Sequence, residues 1–123
     1  MKHVLFGILF FLTGSISFAQ TANSATSLST KNLTEGISTG KIELILPSQL
    51  SSEDVASNAK YYEQFFLVEF NAKNHVATFK MVLNTPDSRR VILRFLSANQ
   101  IQIVVVDGKS YQLQDFYQKF LEK

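Results

Sequence analysis

The sequence predicts an α+β domain in which two helices cover one face of an antiparallel sheet, and three observations predict it. Apolar and polar residues alternate with period two over residues 66–71 and again over 77–82, on either side of the turn-forming run Asn71-Ala72-Lys73-Asn74. Thr85-Pro86-Asp87 writes a helix start: a hydroxyl to cap, proline at the first helical position, and an acid in the positive first turn. Finally, the chain has no cysteine, so an ordinary apolar core has to hold it together without disulfides.

The elements follow in order. Met1-Lys2-His3 carries one fixed positive charge, Val4 to Leu12 is apolar, and Thr13-Gly14-Ser15 loosens the run before Ser17-Phe18-Ala19. That is the layout of a secretory signal peptide spanning 1–19, cut before Gln20, and it is too short for a membrane anchor of about 20 apolar residues. The expectation is therefore an exported product, periplasmic or secreted, with no stable membrane insertion after cleavage. Residues 20–40 are rich in Ser, Thr, Ala and Asn, which predicts a flexible tether. Asn32-Leu33-Thr34 fits a glycosylation acceptor, a tripeptide too common to carry weight.

The folded domain is expected over 41–123. Lys41 to Leu46, stopped by Pro47, reads as a strand. Ser51 with Asp54 approximates a capping box for a helix that buries Val55, Ala56, Ala59 and Tyr62. The hairpin 66–82 follows. The helix after Thr85 buries Val91, Ile92, Phe95 and Leu96, turns Arg89, Arg90 and Arg94 outward, and ends near Asn99 as a left-handed terminator. Ile101 to Val106 is a β-branched strand, Asp107-Gly108 signals a tight hairpin back through Tyr111 to Leu113, and Asp115 is placed to cap a short helix from Phe116 to Leu121. Phe66, Phe70, Phe79 and Phe95 are the expected core anchors, each contributing about 1.5–3 kcal/mol if fully buried. The order is strand, helix, strand, strand, helix, strand, a ferredoxin-like βαββαβ sandwich with an appended hairpin arm and helix.

From Lys41 to Val106 this pattern resembles the heavy-metal-associated domain family. The likeness rests on Lys41-Ile42-Glu43-Leu44, Leu67-Val68-Glu69-Phe70-Asn71, Val76-Ala77-Thr78-Phe79 and Thr85-Pro86-Asp87. The resemblance implies a soft-metal loop of Met-x-Cys-x-x-Cys form between the first strand and helix. Here that loop reads Leu46-Pro47-Ser48-Gln49-Leu50-Ser51, without either sulfur ligand. Soft ions need thiolate or thioether ligands, so a family-like metal role is not expected and no cofactor is implied. His75 stands alone at the hairpin turn, and Met81 falls on the core face, where methionine fills gaps.

Enzyme chemistry is not expected either. The one histidine after the signal peptide is His75, no Gly-x-Ser-x-Gly elbow occurs, and Glu43, Glu53, Asp54, Glu63 and Glu69 fall at exposed or capping positions. Acylphosphatases share the fold but hold phosphate with an arginine in the loop that here reads Pro47 to Ser51. A formal charge of +2 gives no electrostatic case for nucleic acid. What remains is an exported binding module with an unknown protein partner. Its candidate contact residues are the loop Pro47-Ser48-Gln49 and the cluster Arg89, Arg90, Arg94, where Arg90 and Arg94 are helix neighbours. The plainer expectation for the arginines is a solvated helix face. Two alternatives stay open. One is an inhibitor or folding-assistant module like the ferredoxin-like propeptides of secreted proteases, a case that gains if the aromatics of Phe116-Tyr117-Gln118-Lys119-Phe120 project away from the sheet. The other is a weak metal binder through His75.

Overall fold

The computed structural model describes residues 23–123; the expected signal peptide lies outside them. The chain is α+β, with one six-stranded mixed sheet and four α-helices. In order it forms β1 (Ser24–Ser27), α1 (Thr30–Thr39), β2 (Lys41–Ile45), α2 (Ser52–Ala59), β3 (Phe66–Asn71), β4 (Val76–Met81), α3 (Pro86–Ala98), β5 (Ile103–Val106), β6 (Lys109–Gln112) and α4 (Leu113–Phe116). A 3-10 turn over Lys60–Tyr62 extends α2, and a π-helical turn over Tyr117–Leu121 extends α4.

The sheet order is β3-β4-β2-β1-β5-β6, antiparallel throughout except for the parallel pair β1/β5. This corrects the expected tether. Residues 24–39 are a central strand and a helix, with Ala25 and Leu33 fully buried. The polar composition of Ser24-Ala25-Thr26-Ser27 hid the strand, because its order comes from hydrogen-bonding neighbours on both sides rather than from its own apolar content. The sheet accordingly has two strands more than a four-stranded βαββαβ core, with β1 lying between β2 and β5.

Local chemistry places α1. Ser29 caps it through Asn32 N–H at 2.9 Å, while Asp107 in the β5–β6 turn accepts from the Thr30 backbone at 3.2 Å and from the Thr30 hydroxyl. The Asp107-Gly108 turn has positive φ at both residues, 48° and 81°, as the two-residue hairpin requires. Gly36 lets α1 lie against β2: a Cβ there would sit 2.6 Å from the Lys41 carbonyl oxygen.

The core lies between the sheet and the helices. Phe66, Phe79 and Phe95 are fully buried and meet edge to face at 5.3–6.3 Å, and Tyr62 stacks on Phe66 at 5.9 Å. Phe70 is only half-buried and packs its ring against His75, whereas Phe116 is a fully buried anchor. The last helix begins at Leu113 rather than Phe116, and Gln112 rather than Asp115 stands at its cap, without a side-chain bond. The C-terminal aromatics do not project: Phe116, Tyr117 and Phe120 are buried in the layer that also holds α3. On the opposite face, register sets Val105, Thr26, Ile45 and Val76 side by side, and beyond them Thr78 between Glu43 and Glu69. No described helix is long and apolar enough to cross a membrane.

Candidate functional site

The three candidate arginines do not form one patch. Arg89 was expected on the solvent side, but it is 2% exposed, and its guanidinium donates to three acceptors. Nε reaches the Leu121 carbonyl and Nη2 the Lys123 carbonyl, both at 2.7 Å, while Nη1 reaches Asn84 Oδ1 at 2.6 Å. The reason is the π-helical turn, which covers that side of α3 and turns its last carbonyls toward the cation. Burial lowers the Arg89 pKa from its ordinary value, an effect that Tyr117 opposes. Asn84 continues the network by donating to the Ile37 carbonyl at 2.6 Å, which ties α1 to the clamp. Arg90 is exposed and lies over the Tyr117 ring at 5.2 Å; Arg94 is exposed, and only its backbone carbonyl takes part, accepting from Tyr62 Oη at 3.4 Å.

The loop residues fare differently. Pro47 is buried, Ser48 and Gln49 are exposed, and Leu50 N–H closes the turn on the Pro47 carbonyl at 3.2 Å. The β3–β4 hairpin braces this loop from behind. His75 takes φ of 60°, its carbonyl accepts from Leu46 N–H at 2.8 Å, and its Nε2 lies 3.2 Å from the Leu50 carbonyl. Ser51 and Asp54 then complete the predicted capping box, with reciprocal bonds of 3.0 and 3.1 Å. Those bonds, the one from the Ser51 backbone first, hold the Asp54 carboxyl below its ordinary pKa.

Next to this braced loop is a polar cleft of about 290 Å³. The turn before β1 supplies Asn23, the loop supplies Gln49 and Leu50, and α2 supplies Asp54 and Asn58, four residues apart and therefore on one helix face. The far wall is the end of α3, with Ala98, Asn99 and Gln100. Asn99 is 8% exposed and anchors the floor: its Nδ2 donates to the Phe95 carbonyl at 2.9 Å, and its Oδ1 accepts from Asn58 Nδ2 at 2.7 Å. Gln49 Nε2 donates to Asn23 Oδ1 at 3.3 Å across the mouth. The α3 terminator is Gln100 rather than the expected Asn99. Gln100 has φ of 64°, and Ile101 N–H reaches back to the Leu96 carbonyl at 2.9 Å, the paired ending in which glycine is the usual left-handed residue.

The lining thus holds five side-chain amides, one carboxylate and no basic side chain. Because Asn58 is bonded to Asn99 and Gln49 to Asn23, the cleft offers a ligand the amide groups that remain, Gln100 foremost, and these suit a neutral hydrogen-bonding partner. Among the described residues, no three of His, Cys, Asp and Glu converge as metal ligands. Of the cleft residues, sequence reasoning named Gln49 as a contact residue, Asp54 as a cap and Asn99 as a helix terminator. The helical spacing of Asp54 and Asn58 was a signal for a fourth, whereas nothing local links Asn23 or Gln100 to them. Comparison of the chain with protein-family models, with curated proteins and with solved structures returns no match.

Proposed function

We propose that this chain is an exported binding module without catalytic activity, and that the cleft beside the β2–α2 loop is its working site. The scaffold is a heavy-metal-associated-like, ferredoxin-like core with an inserted strand. Support for it comes from β5, β2, β4 and β3, which keep the relative order and antiparallel sense of that fold once β1 is set aside. The loop at the place of the missing metal motif has kept a position suited to recognition. The observation that carries this function is the convergence of five amides and Asp54 from three separate segments into one concavity.

The test has two parts. N-terminal sequencing of protein isolated from the native host should begin at Gln20. A photo-crosslinking residue at exposed Ser48 should give a discrete adduct in those cells, and the same residue at exposed Gln118 should give none. Equal labelling from both positions sinks the assignment of the cleft.

A second reading is a propeptide-like module that docks through the open sheet face. What favours it is the row Val105, Ile45 and Val76 beside a depression of about 840 Å³ lined in part by Leu28, Glu43 and Glu69. The buried C-terminal aromatics weigh against a free tail as part of that docking.

A further inference from the structure

Taking the cleft as the binding site, we infer that its ligand is a neutral sugar residue, held through its hydroxyl groups. This rests on the binding-module reading and adds the class of ligand. A hydroxyl donates one hydrogen bond and accepts two, and a primary amide donates two and accepts at its oxygen, so adjacent hydroxyls and amide groups are complementary partners. Gln49 is already bonded to Asn23 and Asn58 to Asn99, which leaves the Gln100 amide, Asn23 Nδ2, Asn58 Oδ1 and the second Asp54 oxygen to meet the hydroxyls.

The lining argues against charged small ligands. No Lys, Arg or His lines the cleft, so nothing selects a phosphate or a carboxylate. One oxygen of its single carboxylate is engaged at the α2 cap, and the one that remains is too few for a hard cation. A peptide would seek apolar pockets or a strand edge, whereas Leu50 and Ala98 are the only apolar side chains here. At about 290 Å³ the cleft stands at the small end of ligand pockets, with room for one sugar ring.

The backbone of Gln100, one of the cleft residues, adds to the argument. A left-handed backbone costs an ordinary residue about 1–2 kcal/mol, and glycine adopts it freely. Here a glutamine occupies that position with φ of 64°, at the rim of the cleft. Strain held at a concave polar site points to a side chain kept for what it binds.

The experiment is a titration of the isotopically labelled protein, followed by amide NMR including the Asn and Gln side-chain signals. The probes are glucose, galactose, mannose, N-acetylglucosamine and short linear oligomers of each, taken to about 20 mM, well above a 1 mM dissociation constant. The expected result is saturable shifts confined to the cleft for at least one sugar. Monosaccharide binding would mark a free sugar or chain end as the ligand, and binding of the oligomer alone would mark an internal residue of a glycan. Asn58→Ala and Gln100→Gly should each weaken binding about tenfold, the loss of roughly one good hydrogen bond, while Gln100→Asn retains part of it. Gln100→Gly is the decisive variant, because it should fold at least as well as the parent. Undiminished affinity in Gln100→Gly overturns the assignment of that side chain and with it the sugar site. Silence of the cleft signals to every sugar overturns the sugar class; if Ser48 still crosslinks in cells, the binding-module reading stands, and if it does not, both fall.

Discussion

Helix α3 ends in a polar cluster at each end, and the two are built to opposite purposes. Near its start, Arg89 is enclosed by its own chain, every guanidinium nitrogen donating to a protein oxygen. At its finish, Asn99 anchors a floor above which Asn58, Gln100 and Asp54 face an open cleft. Both clusters consist of residues that a linear reading assigns to a surface. The comparison teaches that polar composition says little about place: one polar group is closed off by backbone carbonyls, and another is left lining a concavity.

The largest expected effect breaks the closed cluster. Arg89→Met removes three charge-assisted bonds and strands the Leu121 and Lys123 carbonyls, and urea unfolding should show a loss of about 3 kcal/mol or more. A loss under about 1 kcal/mol would mean that the clamp is ornamental. Asn84→Ala cuts the same network at one remove, freeing the Ile37 carbonyl and one Arg89 nitrogen, at an expected cost of about 1–1.5 kcal/mol.

At the open end the sign reverses. Gln100→Gly relieves the left-handed backbone and should raise stability by about 0.5–1 kcal/mol. Destabilisation instead would show that the Gln100 side chain serves the fold, and the contrast between the two ends would disappear. The smallest effect is the pH dependence contributed by Asp54. Its pKa is depressed in the folded state, so its contribution is full above the unfolded-state value of about 4 and fades as pH falls through the folded value. Chemical denaturation in steps below about pH 5 should therefore show a shallower acid decline in Asp54→Asn than in the parent.

The legible parts of the fold are those whose signals are local. Ser51 with Asp54, Thr85-Pro86-Asp87 and Asp107-Gly108 each carry their hydrogen bonds within a few residues, and each forms as its residues predict. Period-two alternation likewise placed β3 and β4, and its core-facing phenylalanines Phe66 and Phe79 are buried. The candidate site was half legible. The loop of Ser48 and Gln49 could be picked out because it stands where the resemblance puts a metal motif, but its partners Asn23 and Gln100 lie about 26 and 51 residues away from Gln49 in the chain.

By itself, then, the sequence determined the starts of α2 and α3, the tight turns and the alternating strands, because capping bonds, positive-φ residues and side-chain direction act over a few residues. Only the tertiary structure decided that Ser24-Ala25-Thr26-Ser27 is a central strand, that Arg89 is inside, and that five amides share one cleft. Those outcomes depend on which distant segment supplies the missing hydrogen bond or covers the exposed side, and a run of residues carries no record of what will be packed against it.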